Sequence, residues 1–153
     1  DPALIARIVA AVRRAVPVTV PVSAKMRLGF NDDHRAEECA QAMADSGAGE
    51  IVVHARTKAH GYRPPAYWER IADVRAAVQV PVIANGEVWT LDEYHAIRAE
   101  SGCADVMLGR GAVADCCTAT ACRAPDWGGL FAVNRLKWPK ITGLCCWHGD
   151  CVS

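Results

Sequence analysis

The sequence has no excess charge of either sign, since 17 Lys and Arg are matched by 17 Asp and Glu over 153 residues. Its total charge therefore gives no support to strong non-specific attraction to nucleic acid or anionic lipid, although a basic patch can sit inside a neutral sum. Long apolar runs are also missing. The longest stretch without Asp, Glu, Lys or Arg is the eleven residues from Ala76 to Gly86, against the roughly 20 that a membrane-crossing helix needs. The opening Asp-Pro-Ala-Leu has no basic segment ahead of an apolar one, so no secretory leader is expected and the chain reads as an excerpt of a longer one. Cysteine is scarce over most of the chain: only Cys39 and Cys103 precede residue 115. That excludes a disulfide scaffold there and points to a cytoplasmic protein. The other six (Cys116, Cys117, Cys122, Cys145, Cys146 and Cys151) crowd the end, which divides the chain into segments 1–114 and 115–153.

What the first segment does have is internal repetition, which reveals architecture before any motif is invoked. Val20-Pro21-Val22-Ser23-Ala24-Lys25 returns sixty residues later as Val80-Pro81-Val82-Ile83-Ala84-Asn85. Ser46-Gly47-Ala48-Gly49-Glu50-Ile51-Val52-Val53-His54 returns as Ser101-Gly102-Cys103-Ala104-Asp105-Val106-Met107-Leu108-Gly109. The four apolar runs are continuous rather than alternating, as in parallel strands covered on both faces. Helical patterns separate them. Asp1-Pro2 caps a helix ending near Val16-Pro17, and Asp32 or Asp33 starts one running to Gly47. Ala66 to Val78 forms a third, with Trp68, Ile71, Ala72 and Val78 on its apolar side. Thr90-Leu91-Asp92-Glu93 is a capping box for a fourth, ending about Ser101. Alternation of helix and strand predicts an α/β fold with a parallel sheet. An open doubly wound sheet and a closed barrel both satisfy that order. Twofold repetition with a polar residue at each strand's carboxyl end favours barrel units, and four strands are too few for the eight-unit, roughly 250-residue whole.

Reacting groups of such folds sit at the carboxyl ends of strands. The first run ends Lys25-Met26-Arg27, where a lysine can pair with a cofactor phosphate or ring carbonyl, form a Schiff base, or be an ordinary solvent-reaching cation. The second ends His54-Ala55-Arg56-Thr57-Lys58, offering an imidazole donor and two cations suited to phosphate. The loop after it, His60-Gly61-Tyr62-Arg63-Pro64-Pro65, has the means to present Tyr62 and Arg63 to a nucleic acid by stacking and phosphate contact. The third and fourth end Asn85-Gly86-Glu87 and Gly109-Arg110-Gly111, where glycines let backbone amides approach an anion.

These residues resemble the flavin-dependent tRNA-dihydrouridine synthases, and most of all the bacterial C-type enzymes. Lys25-Met26-Arg27-Leu28-Gly29, Val53-His54-Ala55-Arg56-Thr57, Ile83-Ala84-Asn85-Gly86-Glu87 and Leu108-Gly109-Arg110-Gly111 match that family's motifs in order and spacing over about residues 1 to 114. The C-type likeness rests on Thr57 to Arg63 with Trp68, and on Gly86-Glu87-Val88-Trp89. The resemblance implies a partial TIM barrel, about four βα units forming the second half of a (β/α)8 barrel, followed by an irregular Cys-rich tail. It further implies that Lys25, His54, Asn85, Gly86, Glu87, Gly109 and Arg110 hold FMN. Tyr62 and Arg63 would lie toward tRNA, with NADPH as reductant and uridine 16 of the D loop as the target. The family's catalytic cysteine lies in an Asn-x-x-Cys-Pro loop that does not occur here, and neither Cys39 nor Cys103 stands where it would substitute. The isolated chain is therefore expected to bind FMN weakly or not at all, to be inactive, and to self-associate or pair with a missing barrel half.

Two other readings were open. A standalone lyase or aldolase acting on phosphate ligands would use Lys25 as its Schiff-base residue. A metal-binding tail would draw on Cys116, Cys117, Cys122, Cys145, Cys146, His148 and Cys151. The tail has no Cys-x-x-Cys pair, and adjacent cysteines fit a tetrahedral site poorly, so a shifted reading frame or disorder explains it better. A short helix over Trp127, Leu130, Phe131 and Leu136 is the only periodic feature expected there.

Overall fold

The computed structural model describes residues 1–114; the tail, with its cysteines and its expected short helix, lies outside the described residues. Nine elements follow one another: α1 (Pro2–Ala15), β1 (Ser23–Arg27), α2 (Ala36–Asp45), β2 (Glu50–His54), α3 (Glu69–Ala77), β3 (Val82–Asn85), α4 (Leu91–Ser101), β4 (Asp105–Met107) and α5 (Arg110–Ala114). The strands form one parallel sheet in the order β1-β2-β3-β4. Right-handed crossovers between strands laid down in sequence put every connecting helix on the same face. The helices accordingly pack in a row, α1 on α2, α2 on α3 and α3 on α4. A doubly wound sheet reverses its strand order at a switch point; among the described residues there is no reversal.

The register separates two faces. Met26, Val53, Ala84 and Val106 stand side by side across all four strands. They are buried in one core with Ala40 and Met43 of α2, Ile71 and Val74 of α3, and Tyr94 and Ile97 of α4. One residue further along, Arg27, His54, Asn85 and Met107 form the next row and point to the opposite face. The alternation therefore sends one set of side chains into the core and delivers the polar Arg27, His54 and Asn85, with Met107, to the other face.

Local signals place the helices. The Asp1 carboxylate accepts from the amides of Ala3 and Leu4 ahead of Pro2, and Val16 leaves the helix in extended conformation before Pro17. The capping box forms as expected: the Glu93 amide donates to Thr90 Oγ1, and Glu93 accepts from the Thr90 amide.

Three expectations need correction. Helix α2 starts at Ala36, because Asp33 pairs with Arg70 on α3 (2.6 Å) and Asp32 accepts from the His34 amide, closing a turn instead of capping a helix. Helix α3 starts at Glu69, because the Tyr67 amide donates to Ala55 O and Trp68 Nε1 to Gly86 O, tying that segment to the sheet's end. Trp68 thus packs against the core, as its place on the apolar side implies, while its indole N–H anchors it to Gly86, and Val74 joins Ile71 in the core. Finally, β3 is buried throughout, but β1 exposes Ser23 and Lys25, since an edge strand lacks a neighbour to cover its second face.

Candidate functional site

A cavity of about 660 Å³ opens where the strands end, within the size range of roughly 300–1,000 Å³ typical of small-molecule sites. Every cofactor residue anticipated from sequence lines it: Lys25, His54, Asn85, Gly86, Glu87, Gly109 and Arg110, together with Tyr62. Arg63 is not brought to it. That side chain is exposed and reaches back to Ala59 O at 3.5 Å. Arg27, Trp89, Met107 and Gly111 also line the cavity. Met107 stands beside Asn85 in the strand register, a placement that the sequence motifs did not mark.

Lys25 lies in the middle of β1, one row below His54, yet its stem reaches up so that Nζ donates to Asn85 Oδ1 at 2.8 Å. Asn85 passes the connection on, donating from Nδ2 to Met107 O at 2.7 Å. This fixes the amide's orientation and leaves lysine donors for a ligand. Burial, then the nearby Arg27 charge, lowers the Lys25 pKa from its usual value. His54 is moved further, down to about 4, by burial first and then by the charges of Arg27, Lys25 and Arg56, which outweigh Glu87. It is therefore a neutral imidazole at physiological pH, and its Nδ1 is buried without a partner. An imidazole in that state offers one donor and one acceptor and no charge.

The pH consequence has a definite sign. Unfolded His54 takes up its proton near pH 6.5 while the folded site resists until about 4. The unfolded state binds more protons in that window, so stability is present above it and is lost as pH falls through it. His54→Asn should flatten the fall in urea-unfolding midpoint between pH 7 and 4.5 relative to the parent chain. Equal slopes for the two proteins would remove His54 as the cause.

Arg56, expected to be a phosphate contact, is fully buried. Its Nη2 pairs with Glu87 and its Nε donates to Pro65 O at 3.2 Å. It thus joins the loop after β2 to the loop after β3. Glu87 sits in the left-handed region at φ 55°. Burial opposes its ionisation, but hydrogen bonds from Trp89 and Arg56, with the charges of Arg56 and Arg110, outweigh that and hold its pKa below the ordinary carboxylate value. The cavity wall carries Lys25, Arg27, Arg56 and Arg110 against the single carboxylate of Glu87, so a neutral chain concentrates positive charge at one mouth. Around Tyr62, itself 63% exposed, the guanidinium carbons of Arg27 and Arg110 lie 5.2 and 4.9 Å from the ring centre. Arg27 also donates to Thr57 O and Gly61 O, 3.0 Å each, which shapes the loop that carries the ring.

A parallel α/β sheet with a cationic, glycine-edged pocket beyond the carboxyl ends of its strands places this chain among α/β proteins whose crevice lies at those strand ends. The sequence is more specific. The family model described as dihydrouridine synthase (Dus) matches residues 1–124, and the chain belongs to that family. The match runs past residue 114, where the motif likeness was expected to end.

Curated relatives named tRNA-dihydrouridine(16) synthase include one from Cupriavidus necator, 61% identical over 115 residues, covering 75% of this chain and 36% of the relative. One from Ralstonia nicotianae is 60% identical over 144 residues, covering 93% and 43%. One from Pseudomonas syringae pv. tomato is 54% identical over 114 residues, covering 74% and 36%. The chain thus spans about two-fifths of the length of these relatives, and the Ralstonia match enters the segment beyond residue 114. A solved structure described as a putative dihydrodipicolinate synthase family protein from Coccidioides immitis superposes with a TM-score of 0.63 at 21% identity, over 86% of this chain and 43% of that one, and shares the fold.

No helix among the described residues is long and apolar enough to cross a membrane, and no group of three or more potential metal ligands occurs among them. Cys39 is on α2, and Cys103 is buried just before β4 with its thiol pKa raised chiefly by burial. Neither lines the cavity.

Proposed function

We propose that this chain forms the cofactor-phosphate side of a cytoplasmic, FMN-dependent tRNA-dihydrouridine synthase, as the second half of a (β/α)8 barrel made of residues 1–114. The reaction is reduction of a D-loop uridine, at position 16 by analogy with the named relatives, to 5,6-dihydrouridine with NADPH as reductant. The observation that carries this reading is the convergence of seven anticipated residues on one cationic cavity. The residues fit the group: Arg110 and the backbone beside Gly86 and Gly109 suit a phosphate, and the unpartnered Nδ1 of neutral His54 suits a ring atom. Bound FMN would supply hydride chemistry to the uracil C5=C6 bond.

The chain's own groups position and exclude. Asn85 holds Lys25 toward the cavity, His54 adds a hydrogen bond without charge, and Tyr62 with Arg63 faces the tRNA. No cysteine lines the cavity among the described residues. The Schiff-base reading of Lys25 gains no such support, whereas family membership accounts for all four motifs. The other barrel half is the partner this surface calls for. Both β1 and β4 have an unpaired edge among the described residues, and Leu4, Ile8 and Val12 of α1 are 46%, 55% and 46% exposed.

Titration of the full chain with FMN, followed by flavin fluorescence, tests the reading. Weak saturable binding within about 100 µM, lowered severalfold by Lys25→Ala and by Arg110→Ala, is the expected result. No binding by the folded chain over that range would overturn cofactor binding by this half alone.

A further inference from the structure

We propose that Trp89 is a positioning residue for the anion-binding guanidinium of Arg110. The inference rests on the phosphate reading above and adds to it a residue outside the anticipated set. Arg110 is exposed and makes no salt bridge among the described residues. Its guanidinium carbon lies 5.1 Å from the centre of the Trp89 ring and 4.9 Å from that of Tyr62. The two rings differ in how firmly they are held. Tyr62 is an exposed residue of a loop. Trp89 is fixed at two points, donating from Nε1 to Glu87 Oε1 at 3.0 Å and from its amide to Glu93 Oε2 at 2.7 Å.

Each of those acceptors is itself held. Buried Arg56 pairs with Glu87, and the capping box of α4 holds Glu93. A chain of fixed contacts therefore runs from the protein interior through Arg56, Glu87 and Trp89 to a side chain that makes ring contacts and no salt bridge among the described residues. An unrestrained arginine gives up much rotamer freedom when it closes on a phosphate. Stacking on a fixed indole gives up that freedom beforehand, so the ligand meets a preorganised donor.

Two readouts on the full chain test this. In carbon–proton spectra of arginine-labelled protein, with Arg110 assigned by Arg110→Lys, its δ-proton signal should be displaced by the ring. The displacement should shrink in Trp89→Leu and persist largely in Trp89→Phe. FMN affinity should fall about fivefold in Trp89→Leu and stay within about twofold in Trp89→Phe, with far-ultraviolet circular dichroism unchanged in both. An Arg110 signal that does not move in Trp89→Leu would overturn the inference, as would equal FMN affinity for Trp89→Leu and the parent. If the parent binds no FMN, cofactor binding by this half alone fails, and the arginine signal alone decides the positioning. If Trp89→Leu does not fold, Arg110→Ala at its exposed position serves instead: the indole ring protons must shift, and unshifted protons overturn the inference.

Discussion

Replacing Arg56 with alanine is expected to remove about 3 kcal/mol of folding stability and the anion pocket with it. The side chain is fully buried and bonds two loops at once, through Pro65 O and Glu87. Its loss leaves the Glu87 carboxylate, four-fifths of its side chain buried, with Trp89 Nε1 as its remaining hydrogen bond. A largely desolvated charge without its counterion is the costly case, and the missing stem adds a cavity. Glu87 also occupies the left-handed region, a conformation that persists only where surrounding contacts fix it. Glu87→Gln keeps an oxygen acceptor but leaves the fully buried Arg56 guanidinium without its counterion, so it should also cost about 2 kcal/mol or more. Removing both charges with Arg56→Met and Glu87→Gln together should recover part of the single-variant loss. Urea unfolding followed by circular dichroism measures all three. An Arg56→Ala cost under about 1 kcal/mol would mean the pair is dispensable to the fold.

The second large effect separates two glycines only two residues apart. A β-carbon on Gly111 would lie 2.1 Å from Val88 O and 3.1 Å from Trp89 Cα, both backbone atoms that no rotamer change can move. Gly111→Ala must therefore push the start of α5 off the loop that carries Glu87 and Trp89, at a cost of about 2 kcal/mol or more. At Gly109 the same β-carbon meets nothing within 4 Å among the described residues, and its φ lies outside the left-handed region. Gly109→Ala should leave stability within about 0.5 kcal/mol of the parent, or raise it by restricting the unfolded chain. It should still weaken FMN binding, because the new methyl stands at the rim where the backbone is to meet the anion. Thermal unfolding and FMN titration of both variants make the comparison. Loss of stability in Gly109→Ala, or none in Gly111→Ala, would show that the roles of the two glycines are reversed.

How much of this was legible before the structure depends on whether a feature is local. Asp1-Pro2 and the Thr90 to Glu93 box state their function within four residues, and both helices start where those signals stand. Asp32 and Asp33 carry an equally good helix-start signal. It failed because Arg70, thirty-seven residues away from Asp33 in sequence, claims that carboxylate. Continuous apolar runs marked β2, β3 and β4, whereas β1 begins at Ser23, after residues 20–22 of its run, and exposes Ser23 and Lys25 at the sheet edge.

The same division runs through the site. The motifs after each apolar run marked His54, Asn85, Gly86, Glu87, Gly109 and Arg110 as residues of the cavity lining, because a strand's carboxyl end is a local property of the chain, whereas Lys25 stands in the middle of β1 and reaches the cavity through its long stem. Sequence alone therefore determined the α/β order, the family resemblance and the residue types at the mouth. Tertiary structure decided what each of them touches. It turned Arg56 from a phosphate contact into a buried tie between loops, kept Arg63 away from the cavity, and set Trp89 against Arg110. Those outcomes depend on which strand lies beside which and in what register. That is fixed by burying one face of the sheet beneath the helices, and no short stretch of sequence contains that information by itself.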